Sequence, residues 1–242
     1  MEQSLHDLRR SINSSLTGDP VVVYCTGLFL SARWLAVSSA APEDKVHLII
    51  LPTKEAAEYC AADLYSLIEG DRVFFLPDSG KTVERSNYKS SLSVQRTAAV
   101  GKLLSFHPEE GPLFVVSYPE AIEETLPRPA EISDAVIHLG VGDEISFDTV
   151  RTLLGEKGFI KVDFVSQPGQ YAIRGSLIDI FSFSDALPYR ISFFGDEVEK
   201  IHFFDCNTQL SKGQADKVDI YPDLSSDIAG GQEISLLQLL PN

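Results

Sequence analysis

The sequence predicts an α/β unit built on a parallel sheet, followed by a smaller α+β unit with an antiparallel sheet. In the first part of the chain, short and nearly continuous apolar runs alternate with amphipathic stretches. This alternation is typical of a parallel sheet covered by helices on both faces. Between residues 165 and 209, short runs rich in β-branched and aromatic residues are separated by closely spaced turn signals, which is typical of an antiparallel meander.

The first unit is predicted from its apolar strands and the helices between them. Thr53 can cap the helix that follows it, because a threonine side chain accepts a hydrogen bond from the backbone at a helix N-terminus. Gly70 then lies where the C-terminal cap of that helix is expected. The predicted strands are residues 20–25, 46–51, 73–76 and 113–117, and the other predicted helices are residues 1–19, 31–40, 93–106 and 119–125.

The second unit begins with a predicted strand at residues 136–139 and a helix at residues 146–157, which Gly158 closes. In the meander that follows, residues 189–194 and 198–203 alternate imperfectly between apolar and polar. One face of this sheet should therefore lie on a core, and the other should meet solvent or a partner.

The change of pattern sets the predicted domain boundaries. The proline-rich sequence LPRP at residues 126–129 separates a first domain, residues 1–127, from a second domain, residues 128–220. Residues 221–242 are predicted to start a segment that returns to the first domain. Because this segment ends in an apolar run, we expect the chain to continue in a larger protein.

The charge balance argues against a nucleic-acid-binding protein. The 242 residues carry 35 acidic and 20 basic side chains, a formal net charge of −15, and no run is dense in lysine or arginine. Binding a phosphate backbone needs a basic surface. A basic patch formed only in three dimensions stays open, but a solvated acidic surface is the simpler interpretation.

The cysteines and the apolar runs indicate the compartment. Cysteines 25, 60 and 206 lack a CxxC spacing, which excludes a zinc site local in sequence and does not favour a disulfide framework. Small buried thiols in a reducing compartment are the simplest interpretation. The N-terminus lacks an apolar signal core and no run is long enough to span a membrane, so we expect a cytoplasmic protein without membrane contact.

A phosphate loop is expected in the first turn between strand and helix of such a sheet, and here its chemistry is missing. The pattern G-x-x-x-x-G-K-[ST] would begin at Gly27, but Ala32, Arg33 and Trp34 occupy its last three positions. Tryptophan cannot bind Mg²⁺, and arginine does not substitute freely for the lysine. We therefore predict a degenerate, non-functional phosphate loop.

No other catalytic arrangement stands out in the sequence. There is no G-x-S-x-G, no cysteine near a histidine, and no metal-ligand spacing among the histidines. The carboxylate pairs Asp143/Glu144 and Glu123/Glu124 are most simply exposed charge. We therefore expect no catalytic residue, no metal and no cofactor in this chain.

Arginines in the meander are the remaining candidates. Arg174 and Arg190 are either surface charges paired with nearby carboxylates, namely Asp179, Asp196 or Glu197, or part of a binding patch. In the second interpretation, Phe194 joins them on an exposed sheet face. Arginine beside an aromatic ring is the composition expected of a protein–protein hot spot.

The same stretch carries a family resemblance. Residues 168–181 read PGQYAIRGSLIDIF, and residues 188–209 read PYRISFFGDEVEKIHFFDCNTQ. They resemble a motif shared by the excinuclease component UvrB and the transcription-repair coupling factors, G-E-[FY]-A-x-R-G-x-x-[IL]-D-[IL]-F, then P-[YV]-R-[IL]-x-x-F-[GD]-D-E-[IV]-[ED]-x-[IL] and F-D-x-x-[ST]-[QG]. Gln170 replaces the usual glutamate, and Leu210 replaces the usual arginine.

Two features make the coupling factors the better match. UvrB keeps an intact phosphate loop and a tyrosine-rich hairpin that grips damaged DNA, whereas this chain has the degenerate loop and only Tyr88 between residues 77 and 94. The resemblance implies a degenerate, helicase-like first domain and a second domain that recruits the excinuclease component UvrA. The contacting positions carry over to Arg174, Arg190 and Phe194.

The resemblance also implies partners outside this chain. In the full-length protein, a C-terminal domain would mask the binding surface until the motor engages stalled RNA polymerase, and the polymerase and DNA would be bound by domains beyond residue 242. We therefore expect a non-catalytic adaptor. The alternatives are a fragment of UvrB that loads on damaged DNA with ATP, and a structural module that packs only against its own C-terminal domains.

Overall fold

The computed structural model describes residues 31–69, 71–80, 87–224 and 233–240 of the 242-residue chain. The predicted first helix, the first strand, Cys25 and Gly27 lie outside these residues, as does Gly70. Within the described ranges, no helix combines the length and hydropathy needed to cross a membrane.

A small parallel sheet forms the first unit. Its three described strands are ordered β1-β3-β2 and all run parallel. Every residue of the central strand is buried, which matches the continuous apolar run that predicted it. The strands are β1 (Val46–Ile50), β2 (Val73–Phe75) and β3 (Leu113–Ser117).

Helices cover this sheet and fill its core. The predicted cap is confirmed, because the Thr53 side chain accepts a hydrogen bond from the Ala56 amide at 3.2 Å. The helices of this part are α1 (Ala32–Ala40), α2 (Lys54–Leu67), α3 (Asn87–Leu104), α4 (Pro119–Glu123) and α5 (Pro129–Ala135), with a 3₁₀ turn at Pro108–Glu110.

The C-terminal residues pack on the same core. Strand β13 (Glu233–Ile234) pairs antiparallel with β4 (Leu126–Pro127), and the short helix α7 (Leu236–Leu239) follows it. Leu236 and Leu239 are buried in the core of the first unit. The predicted boundaries at residues 127 and 220 stay predictions.

A larger antiparallel sheet forms the second unit. Within the described residues, its six strands are ordered β11-β10-β9-β8-β7-β6, with antiparallel pairs throughout except the parallel pair β6–β7. The strands are β6 (Ile160–Lys161), β7 (Gln170–Arg174), β8 (Leu177–Ile180), β9 (Tyr189–Phe194), β10 (Glu197–Phe204) and β11 (Ser211–Ala215).

One face of this sheet, the inner face, lies on a core. It packs against helix α6 (Phe147–Glu156) and a two-stranded sheet of β5 (Ile137–Gly140) and β12 (Lys217–Ile220). Side chains alternate between faces along a strand, so the other face, which we call the outer face, points away from this core. The predicted fold class is confirmed as a parallel α/β sheet followed by an antiparallel sheet.

Several details of the prediction were wrong or incomplete. The sequence analysis did not predict strands β4, β6, β11, β12 and β13 or helices α5 and α7, and α3 begins at Asn87 rather than at residue 93. The other helices and strands that were predicted within the described residues end within two residues of their predicted bounds. Cys60 is buried and Cys206 is half-buried, and both thiols are free.

Candidate functional site

The outer face brings the three predicted residues onto one side of the sheet. Ile191 and Phe193 of β9 lie in the core, so alternation places Arg190 and Phe194 on the outer face. Arg174 is on the same face, because its neighbour Ile173 packs on the core. The predicted patch therefore exists as a set of residues on one sheet face.

Arg190 is held by a buried carboxylate on the adjacent strand. Asp179 and Arg190 are direct partners in the β8–β9 register. Arg190 donates from Nε to Asp179 Oδ1 at 2.7 Å and from Nη2 to Asp179 Oδ2 at 2.8 Å. The Asp179 side chain is only 3% exposed, whereas that of Arg190 is 25% exposed. This two-point ion pair fixes the plane of the guanidinium.

An aromatic ring and an amide complete the contacts of Arg190. Its Cζ lies 4.5 Å from the ring centroid of Phe204, within the range of a cation–π contact. Its Nη2 also donates to Gln209 Oε1 at 3.1 Å. Hydrogen bonding to Asp179 raises the pKa of Arg190 above its ordinary value, so the group is charged at every accessible pH. We call Asp179, Phe204 and Gln209 the Arg190 clamp.

Gln209 reaches Arg190 from a tight loop at residues 205–210. Asp205 Oδ1 accepts hydrogen bonds from the amides of Asn207 and Thr208, both at 2.9 Å. These backbone bonds, chiefly that of Thr208, lower the pKa of Asp205. Gln209 has a φ of 58°, and it is the one non-glycine residue with positive φ among the described residues. Its Nε2 donates to the Cys206 carbonyl at 2.8 Å, which leaves Oε1 facing Arg190.

Arg174 has a looser set of contacts. Its Cζ lies 4.3 Å from the ring centroid of Phe164, and its Nη2 donates to the Asp163 carbonyl at 3.3 Å. Nη2 is also 3.8 Å from Asp179 Oδ2. One buried carboxylate thus lies between two arginines, and these three groups together carry one net positive charge.

Exposed apolar side chains accompany the two arginines. Phe194 is 78% exposed at the end of β9, just before the turn at Gly195. Phe164, which lies against Arg174, is 65% exposed, and Leu210, which follows Gln209, is 65% exposed. An arginine between exposed apolar residues is the composition expected of a protein-binding surface.

The first interpretation of the arginines is confirmed for Asp179, and the binding role in the second stays a prediction. As the first predicted, Arg174 and Arg190 pair with Asp179, although neither pairs with Asp196 or Glu197 within the described residues. As the second predicted, they share a sheet face with an exposed Phe194. Phe164 and the role of Gln209 were not predicted from the sequence, although Gln209 is the last residue of the F-D-x-x-[ST]-[QG] motif.

A histidine lies next to the Arg190 clamp. His202 is opposite Arg190 in the β9–β10 register and opposite Gln214 in the β10–β11 register. Its Nδ1 is buried and has no hydrogen-bond partner in the part of the chain that the structure describes.

Three residues that were predicted to end a degenerate phosphate loop lie in helix α1, and the loop itself stays a prediction. Ala32 begins the helix, and Arg33 lies with its Cζ 4.6 Å from the Trp34 ring. Trp34 is buried in the core of the first unit. Gly27 lies outside the described residues.

A polar network lies beside the ends of β2 and β3. Arg96 is buried and its Nη2 lies 3.3 Å from Glu124 Oε2, which also accepts from the Ser79 amide at 2.8 Å. The interpretation of Glu124 as exposed charge was therefore wrong, because it is the counter-charge of a buried arginine. Among the described residues, no group of three or more potential ligands is arranged to hold a metal ion.

Comparisons with known proteins agree with the sequence motif. Residues 137–225, which contain the whole antiparallel sheet, match the UvrB interaction domain. The chain is 32% identical over 199 residues to the transcription-repair-coupling factor of Bacillus subtilis, covering 81% of this chain and 16% of that protein.

Two further relatives are a second coupling factor and a UvrB protein. The coupling factor of Escherichia coli is 37% identical over 81 residues, which is 34% of this chain and 7% of that protein. UvrABC system protein B of Streptococcus suis is 31% identical over 150 residues, which is 61% of this chain and 22% of that protein. The chain thus spans less than a quarter of each relative, and its resemblance to the coupling factors is confirmed.

Proposed function

Because residues 137–225 match the UvrB interaction domain in a chain similar to transcription-repair coupling factors, we propose that this chain is a protein-binding module of nucleotide excision repair. Its proposed partner is the excinuclease component UvrA. The proposed binding surface is the outer face of the antiparallel sheet, around Arg174, Arg190 and Phe194.

The observation that carries the proposal is the combination of a fixed arginine and an exposed phenylalanine on one sheet face. The Arg190 clamp holds the guanidinium in place before binding, so less side-chain freedom is lost when a partner docks. Phe194 offers an aromatic ring that has nothing to cover it within the described chain. Such pairs of groups are typical anchors of protein interfaces.

The charges favour a protein over a nucleic acid as the partner. The chain carries a net charge of −15, and Asp179 neutralises one of the two arginines on the outer face. Arg174, Arg190 and Asp179 thus carry one net positive charge, and Lys200, opposite Ser192 on the same face, is paired with Glu199. This arrangement is a poor match for a phosphate backbone, which needs several free positive charges. It suits a carbonyl or carboxylate acceptor set in an apolar surface.

Calorimetric titration of the chain into purified UvrA tests the proposal. We expect binding by the wild type and a loss of about thirtyfold or more in affinity for Arg190→Ala. Phe194→Ala is the second variant, because an exposed ring can be removed without disturbing the fold. Arg151→Ala is the matched control, since Arg151 is exposed on α6, at the inner face.

Two results would contradict the proposal. The first is that the folded wild-type chain does not bind UvrA. The second is that Arg151→Ala weakens binding as much as Arg190→Ala and Phe194→Ala do, because the contact would then lie away from the outer face.

We further propose that the chain is a non-catalytic adaptor, derived from a phosphate-loop ATPase fold, that brings UvrA to stalled RNA polymerase in the cytoplasm. The burial of Trp34 in the core supports the loss of ATP binding. A nucleotide titration that gave micromolar ATP affinity would favour the alternative, a UvrB fragment. Contacts with polymerase, with DNA and with a masking C-terminal domain are proposed for other parts of the full-length protein.

A further inference from the structure

The hydrogen bonds of Arg190 can be counted donor by donor. A guanidinium has five N–H groups, one on Nε and two on each Nη. The single N–H of Nε is used by Asp179, and the two of Nη2 are used by Asp179 and Gln209. Within the described chain, Nη1 makes no hydrogen bond, so its two N–H groups are the donors that remain for a partner.

We infer that Asp179 and Gln209 are positioning residues that restrict partner recognition by Arg190 to its Nη1 nitrogen. The inference rests on the proposed function and deepens it, because it names the chemistry of the partner group. A carboxylate can bind a guanidinium at two points either through Nε and Nη2 or through Nη1 and Nη2. Both arrangements are blocked here, because Asp179 and Gln209 already occupy the two N–H groups of Nη2. The partner therefore makes single-oxygen contacts to Nη1, from a backbone carbonyl or from one oxygen of a carboxylate, with one acceptor for each of the two free N–H groups.

The conformation of Gln209 supports a role beyond closing the loop. A φ of 58° is unfavourable for a residue with a side chain, and glycine would adopt it freely. The glutamine side chain uses both ends of its amide, donating to Cys206 and accepting from Arg190. A residue that strains its own backbone while orienting an arginine is better explained by recognition than by stability.

Gln209→Gly separates the two roles. Glycine relieves the backbone strain, which offsets the lost hydrogen bonds to Arg190 and Cys206 and the greater freedom of the unfolded chain, so the melting temperature should change little. Its affinity for purified UvrA should nevertheless fall by about threefold to tenfold, because Arg190 is freer before binding and must be ordered when the partner docks. Wild-type affinity in this variant would overturn the inference.

A double-mutant cycle distinguishes positioning from direct contact. If Gln209 acts through Arg190, the double variant Arg190→Ala/Gln209→Gly binds as weakly as Arg190→Ala alone. If the two losses instead multiply, Gln209 contacts the partner by itself, and the inference is wrong.

The geometry can also be tested without a partner. Nitrogen-15 NMR of the arginine side chains should show slow rotation of the Arg190 guanidinium in the wild type and faster rotation in Gln209→Gly. Exposed Arg151 is the internal standard for fast rotation. Fast rotation of Arg190 in the wild type would overturn the inference, whereas slow rotation in a chain that does not bind UvrA would reject the proposed function alone.

Discussion

Two arginines, Arg96 and Arg190, both bind carboxylate and carbonyl oxygens of the chain, but Arg96 is buried and Arg190 is partly exposed to solvent. Arg96 donates from Nη1 to the carbonyls of Pro77 at 2.7 Å and Ala121 at 3.3 Å, and it pairs with Glu124. It is 1% exposed, whereas a quarter of the Arg190 side chain is exposed. Each arginine therefore joins elements distant in sequence, but only Arg190 keeps donors at the surface.

The pKa shifts of these two arginines run in opposite directions. Burial lowers the pKa of Arg96, although the charge of Glu124 opposes the shift. The hydrogen bonds to Asp179 raise the pKa of Arg190. Burial therefore dominates at Arg96, whereas the hydrogen bonds to Asp179 outweigh desolvation at Arg190, whose side chain keeps donors at the surface.

The largest expected effect is on stability, at Arg96. Arg96→Ala removes the donor of the Pro77 and Ala121 carbonyls and the counter-charge of Glu124, and it opens a cavity, so the free energy of unfolding should fall by about 3 kcal/mol or more. Urea unfolding followed by circular dichroism measures it. The affinity of the folded variant for UvrA should not change. A cost below about 1 kcal/mol would remove the distinction between the two arginines.

Asp179→Asn should affect stability and recognition together. Asparagine keeps the shape but loses the charge that holds Arg190 and attracts Arg174, at a cost of about 2 kcal/mol in unfolding free energy. Because Arg190 is no longer fixed, affinity for UvrA should fall as well. The same unfolding and calorimetric experiments measure both. Full affinity in a destabilised variant would show that the ion pair serves only the fold.

The smallest expected effect is a pH-dependent change in stability, and it concerns aspartates in two loops. Asp78 in the first unit accepts from the Gly80 amide, and Asp205 in the second accepts from Asn207 and Thr208. Burial alone would raise the pKa of Asp78, but hydrogen bonds from Tyr118, Gly80 and Lys54 lower it overall.

The pKa of Asp205 is also below its ordinary value of 3.8. A carboxylate with a lowered pKa contributes stability that is present above its unfolded pKa and is lost as the pH falls through its folded pKa. Asp205→Asn should therefore melt below the wild type at pH 7, and the gap should close below about pH 4. Melting curves from pH 7 to pH 3 measure the gap, and a constant gap would contradict the assignment.

The apolar part of this fold was well predicted from the sequence. The buried strand Leu113–Ser117 is an unbroken apolar run up to its last residue, and its predicted bounds are those observed. Strand Ser211–Ala215 was missed because its sequence, SKGQA, has no apolar alternation and lies at the edge of the sheet. The strand forms because β10 offers it a backbone to pair with, a contact that local sequence does not encode.

The candidate site was predicted by residue but not by arrangement. The family resemblance supplied Arg174, Arg190 and Phe194, and Asp179 was among the carboxylates expected to pair with the arginines. The clamp was not predictable, because Gln209 and Asp179 meet Arg190 from a loop and a strand distant in sequence. The partners of Arg96 are also distant in sequence, and its burial was missed because an arginine within a helix is usually exposed.

The measurement that tests the central claim most directly is hydrogen exchange of the chain, free and bound to UvrA. The loops at residues 163–169 and 205–210 border the outer face and carry Phe164 and Gln209. If the outer face is the binding surface, the amides of these two loops should exchange more slowly in the complex, while helix α6 at the inner face should not change. Protection confined to α6 or to the first unit would contradict the claim.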